Sequence, residues 1–379
     1  MELKLKLYLQ ESIMQKGHEA NAGSTILKGF ISPFDAAVVE RSSAASIDIA
    51  GRVSVDEFSV LTITDDQPEE ITPAVERVVA DLSGEAGPAT AVLCNDLFGK
   101  VRRQAAAHNL YYLQPSYGTV SRYGLIPSAS SMDQIGILTS NLTDAFMLLT
   151  KLAGKDERDG AMYPETAYDY GINSDSHKDK DGTGHTPIRL AFPSNVWAKK
   201  ADSSACTALF TEQPDRFDIV SCELKYFELF RQVLYILSCA EICNNTNRYD
   251  GIKFGYRSPN YKSIGDLYVN SRSEALGLDA KLTIIMGAKV LAQENYTPLY
   301  EQAMKIRRLI KEAVNFSDYD VIALPTSLSG EPYEESALHA LTALAGLPSI
   351  TLPEGGGIQL IANSKREDLL YRAWEVLKV

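Results

Sequence analysis

The chain is poor in residues that carry chemistry unaided. Among its 379 residues it has five histidines and five cysteines. It contains no P-loop, GxGxxG, HExxH, GxSxG or CxxC pattern. Those absences argue against the common nucleotide-binding, zinc-protease, α/β-hydrolase and dithiol chemistries. The histidines (His18, His108, His177, His185, His339) are scattered through polar or helical contexts, where a lone histidine is more often structural than catalytic. The cysteines (Cys94, Cys206, Cys222, Cys239, Cys243) are odd in number and sit mostly in apolar surroundings, as reduced core thiols of a cytoplasmic protein do. Cys239 and Cys243 could share a helix face, but no Cys or His partner stands at ligand spacing, so no metal site is expected.

Long apolar runs are also missing. Nothing approaches the roughly 18–20 residues of a membrane span, so no membrane partner is expected. The opening MELKLKLYLQES alternates polar and apolar residues and reads as a strand rather than a secretory signal. Positive charge is in deficit too: 37 Lys and Arg stand against 49 Asp and Glu, a net charge of −12. A polyanion is repelled on average, which argues against direct nucleic-acid contact.

What is present is an ordinary globular composition, 45% hydrophobic and 23% charged. Strands are expected over residues 3–9, 47–55, 90–94, 188–193, 321–325, 349–353 and 358–361. Helices are expected over 36–45 with Asp35 as cap, 73–81, 145–152 capped by Thr143 or Asp144, 227–245, 297–315 and 365–377. Residues 62–72 read as an acidic surface loop and 155–187 as a long exposed excursion. Within that excursion His177, Asp179, Asp181 and Gly182 faintly suggest a calcium loop. Its twelfth position would be Ile188 instead of Glu, so a solvated loop is the better reading. The alternation of strands and helices predicts an α/β sheet covered on both faces, and one large domain over 1–379.

The best local candidate for chemistry is CNDLFGKVRRQAAAHN, residues 94–109. It reads as a strand end, a turn allowed by Gly99, and a helix start carrying Lys100, Arg102 and Arg103. Outward N–H groups there could bind an anion. A solvated basic turn is the alternative, and the residues alone favour it.

The stretch YLQPSYGTVSRYGLIPSASSMDQIGILTSNLTDAFMLLTKLAGKDERD, residues 112–159, resembles the amidase signature family, and within it the glutamine-hydrolysing A subunits of tRNA-dependent amidotransferases. Residues 24–58, 240–258 and 344–362 carry further resemblance, whereas 155–187 and about 201–220 carry little. The resemblance implies an amidase-signature fold with a large mixed sheet, and catalysis by a serine, a bridging serine on a cis peptide and a lysine. No cofactor is implied. At the lysine position this chain has Gln10, and the bridging-serine region is PAVERVV, with Glu76 near the position. The nucleophile position is Lys100. Asp96, Gly99 and Arg102 of the nucleophile loop are kept, with Leu97 and Phe98 between them. Of the glutamine-binding positions, an arginine would fall at Leu282 or Thr283, an aspartate near Ser336, and a tyrosine is matched by Tyr235.

Loss of one member of an interdependent catalytic set costs about 10⁴–10⁶ in rate. The substitutions therefore predict a degenerate, non-catalytic protein that binds other amidotransferase subunits or an active paralogue. Two alternatives stand beside it: an enzyme with altered machinery using Lys100 and Glu76, or a sensor that binds a small carboxylate or other anion in the former pocket. Asp96, Leu97, Phe98, Gly99, Arg102 and Tyr235 are the candidate lining of that pocket.

Overall fold

The computed structural model describes residues 5–60, 70–82, 89–165, 170, 186–201, 203–328 and 332–378. Ten strands form one sheet: β1 Leu5–Gln10, β2 Ile49–Val53, β3 Ala89–Asn95, β4 Tyr111–Gln114, β5 Ile135–Thr139, β6 Ile188–Pro193, β7 Phe217–Cys222, β8 Val321–Pro325, β9 Ser349–Leu352 and β10 Ile358–Ala362. Their spatial order is β2-β1-β3-β5-β4-β9-β10-β8-β6-β7. The pairs β1–β2, β1–β3, β6–β7 and β6–β8 are parallel, and the five pairs from β3 to β8 are antiparallel. The sheet is therefore mixed, as the resemblance implies.

Helices α1 Ala37–Ala44, α2 Pro73–Leu82, α3 Lys100–Ala107, α4 Leu142–Leu152, α5 Ser194–Trp197, α6 Ser204–Thr211, α7 Phe227–Thr246, α8 Ile264–Ala275, α9 Leu278–Leu291, α10 Gln293–Asn295, α11 Gln302–Ala313, α12 Pro332–Ala345 and α13 Glu367–Leu377 complete the fold. Successive strand side chains point to opposite faces. On β3, Ala91 and Leu93 join the core made with α1, α4 and α13, while Val92 and Cys94 join the core made with α2 and α3. On β8, Val321 and Ala323 share the first core, and Ile322 and Leu324 enter a third built largely from α7 and α12. Both faces are thus apolar and both are covered. No described helix is long and apolar enough to cross a membrane.

Several local expectations change. Asp35 does not cap α1; its carboxylate accepts the Lys16 N–H at 2.7 Å, and the cap residue is Ala36. The cap of α4 is Asn141, whose side chain accepts the Thr143 N–H at 3.0 Å, rather than Thr143 or Asp144. The expected 297–315 helix is interrupted: Tyr296–Glu301 forms a π-helical turn before α11. The start of the supposed excursion is pinned. Asp159 holds Arg122 through two side-chain bonds of 2.7 and 2.9 Å, and Arg158 bridges Asp156 and Glu40. The rest of that excursion, with the calcium-loop look-alike, lies outside the described residues except for buried Tyr170 and the 186–187 end.

Candidate active site

The parallel strands β1 and β3 end side by side, and their ends carry Gln10 and Asn95. Gln10 is buried, and its Oε1 accepts the Asn95 backbone N–H at 2.9 Å. A neutral amide makes this tie; a protonated lysine has no acceptor to offer. The Asn95 side chain donates to Asp133 Oδ1 at 2.8 Å and accepts the Gln134 N–H at 3.3 Å. Asp133 also accepts the N–H groups of Ser128 and Ala129, which fixes the ASSMDQ loop against the strand ends. Burial pushes the Asp133 carboxyl above the usual carboxylate range, against the pull of these donors.

After Asn95 the chain turns through Asp96, Leu97, Phe98 and Gly99 into α3. The Asp96 carboxylate accepts the Val101 and Arg102 N–H groups, each at 3.0 Å. It also accepts Arg102 Nε at 2.9 Å, while the Asp96 carbonyl takes Nη2 at 2.9 Å and Thr342 Oγ1 takes Nη1 at 2.7 Å. Arg102 is 0% exposed, so this is a buried ion pair with its hydrogen bonds supplied. The helix start is therefore already occupied by an internal carboxylate. The expectation of outward N–H groups in the first turn is corrected for Val101 and Arg102: Asp96 stands where an external anion would.

Gly99 has φ of +84°, and a Cβ there would lie 2.1 Å from His339 Cγ. Only glycine satisfies both the left-handed backbone and that approach. Fully buried His339 meets the Thr326 carbonyl through Nε2 at 3.1 Å. Its pKa is depressed to about 3 by burial, with Arg102 adding to the effect, so the ring is neutral and Nε2 carries the proton.

Lys100 opens α3, and its Nζ pairs with Asp56 Oδ2 at 2.8 Å. Around them lies a cavity of about 30 Å³ whose lining includes Gln10, Asp56, Thr72, Asp96, Phe98 and Lys100. That is room for about two waters, not for an amide substrate. Thr72 Oγ1 is buried there with no hydrogen-bond partner among the described residues. The Thr72 N–H donates to Gln104 Oε1 at 2.6 Å, and Gln104 Nε2 donates to the Glu70 carbonyl at 2.8 Å, docking the start of α2 onto α3.

The structure brings together Gln10, Asp96, Leu97, Phe98 and Lys100 around the cavity, with Gly99 and Arg102 shaping the turn. It does not bring in Glu76 or Tyr235. Ala74, Val75 and Val78 take the inner face of α2, which turns Glu76 to solvent. Tyr235 packs edge-on against Tyr333 at 5.6 Å, and its hydroxyl shares a hydrogen bond with the Cys239 thiol. Burial pushes that thiol up to about 12, so it is no nucleophile. Leu282 and Thr283 lie on α9, and Ser336 on α12 donates to the Tyr333 carbonyl at 2.7 Å; none of the three lines the cavity. Sequence reasoning does not single out Asp56 or Thr72. The resemblance runs through DEF at 56–58, which is the available signal for Asp56; Thr72 lies in a stretch where the family register is lost. Among the described residues no Cys, His, Asp and Glu cluster could hold a metal ion.

Comparison with known proteins agrees with this fold. The amidase family model matches residues 86–353. The A subunit of the glutamyl-tRNA(Gln) amidotransferase of Clostridium botulinum is 30% identical over 96% of this chain and 80% of its own length. Its counterpart from Trichodesmium erythraeum is 31% identical over 97% of this chain and 82% of its own. Among solved structures, the corresponding protein from Thermotoga maritima superposes with a TM-score of 0.68 at 23% identity, covering 97% of this chain and 81% of that one. A native peptide amidase from Stenotrophomonas maltophilia gives 0.71 at 21% identity, covering 98% and 81%. Family match, sequence identity and mixed ten-stranded sheet lead to one assignment: this chain belongs to the amidase family.

Proposed function

We propose that the protein is a non-hydrolytic member of its family, similar to the A subunits of amidotransferases, and that it serves as a binding or scaffolding component of an amidotransferase assembly. One observation carries the reading: Lys100, at the position of the family's nucleophile, is paired with Asp56 over a cavity that holds about two waters. A lysine amine engaged by a carboxylate does not offer the hydroxyl that the family's nucleophile supplies. Gln10, at the position of the family's lysine, is engaged as a hydrogen-bond acceptor and cannot take a proton at neutral pH. The same cavity gives little support to an anion sensor at Lys100, since both the ammonium and the first-turn N–H groups already have internal carboxylates.

The partner we infer is one of the other amidotransferase subunits or an active paralogue, in the cytoplasm. Five cysteines without disulfides fit a reducing compartment. Affinity isolation of the tagged chain from its native host, followed by mass spectrometry and sizing of the complex, tests this. The reading expects stoichiometric recovery of such a partner. A strictly solitary monomer contradicts it.

A further inference from the structure

Strands β4 and β10 run the same way as β1 and β3, so the segments after β4 and β10 lie at the same end of the sheet as Lys100. A second, larger cavity of about 340 Å³ opens there, and its lining shares no residue with the first. Its charged lining is of one sign. Arg307 and Lys311 stand four apart on α11, on one helix face, and among the described residues no carboxylate lines the cavity.

Arg307 donates to neutral oxygens: the Leu344 carbonyl at 2.7 Å, Ser131 Oγ at 2.8 Å and the Ser131 carbonyl at 3.0 Å. Glu241 acts on it at one remove, since its carboxylate is taken by the Ser131 N–H and hydroxyl. Lys311 makes no ion pair among the described residues, and burial followed by Arg307 lowers its pKa. The other carboxylates of this region are engaged: Asp159 with Arg122 and Glu165 with Lys365. Opposite α11, the Asn363–Ser364 turn adds an amide and a hydroxyl to the lining. Val314, Phe316 and Leu347 supply an apolar wall. Two cations with no carboxylate among the described lining residues, hydroxyl and amide donors, and one greasy side are complementary to an anionic head on a short apolar body.

We propose that this cleft is a binding site for a small organic anion, a carboxylate or phosphate carried on a short apolar group, with Lys311 and Arg307 receiving the charge and Phe316 the apolar part. Titration calorimetry on the full chain tests it, with phenyl phosphate, phenylacetate and inorganic phosphate as probes. At least one of the two aromatic probes binds, more tightly than inorganic phosphate, and the stronger of the two identifies the head group. Lys311→Gln weakens that binding about tenfold, Phe316→Ala weakens it while sparing inorganic phosphate, and Lys100→Ala leaves it unchanged. Failure of both aromatic probes to bind at millimolar concentration overturns the proposal, as does binding indifferent to Lys311→Gln. Binding lost in Lys100→Ala but kept in Lys311→Gln also overturns it and returns the ligand to the first cavity. The result is independent of whether the protein hydrolyses amides or holds a partner.

Discussion

Two lysines at one end of the same sheet have opposite surroundings. Lys100 has a carboxylate at 2.8 Å and a cavity of about 30 Å³; Lys311 has an arginine for its charged neighbour and about 340 Å³ of open cleft. The first site, where the family resemblance puts the chemistry, is internally neutralised and small. The second, to which the resemblance assigns no role, is larger, and its described charged lining is cationic. Position in the fold says where the resemblance puts a site; charge balance and volume say where a ligand fits.

The comparison can be broken at its strongest point first. Asp96→Ala strips the buried Arg102 of its counter-ion and the first turn of α3 of its acceptor. It is expected to cost about 3–5 kcal/mol in denaturant unfolding; a loss below about 1 kcal/mol would mean that the first site is not locked by this pair. Gly99→Ala comes next. The new Cβ meets His339 at 2.1 Å on a left-handed backbone, and roughly 3 kcal/mol is expected from overpacking plus strain.

The third test is pH. His339 is neutral in the fold, with a pKa of about 3 against an ordinary value of 6.5. Between those values the unfolded chain binds a proton that the folded chain does not, so stability falls as pH drops through 6.5 toward 3. From pH 7 to pH 5 the expected loss from this group is about 2 kcal/mol, read from urea midpoints, and His339→Gln should flatten that slope. The smallest effect belongs to Lys100→Met. The pair with Asp56 is partly exposed, with side chains 19% and 37% accessible, so the change in stability should be within about 1 kcal/mol.

The Lys100 side of this contrast is partly legible in the sequence, the Lys311 side is not, and the failures have physical causes. Gly99 stands out as a turn and Arg102 as part of a basic helix start, and Asp96 through the resemblance; that Asp96 caps α3 and pairs with a buried Arg102 is visible only in the structure. The β3, β6, β8 and β9 segments are legible as short apolar runs. β7, an edge strand with only Phe217 fully buried, is not, and it falls where the resemblance fades. Asp35 fails as a cap because a backbone N–H 19 residues away competes for its carboxylate. Glu76 fails because helical periodicity, given Ala74, Val75 and Val78 inside, points it outward, and Thr72 at the head of α2 reaches the cavity instead. Asp56 and Lys100 are 44 residues apart, as Arg307 and Asn363 are 56 apart, and no local pattern announces such meetings.

The most direct measurement is ammonia release from glutamine, asparagine and simple amides by the purified chain, alone and with any protein that co-purifies. Pairing of Lys100 with Asp56 in a small cavity predicts no ammonia above the buffer rate from the chain alone, and no difference between wild type and Lys100→Ala in the assembly. Turnover by the chain alone that disappears in Lys100→Ala would contradict the account.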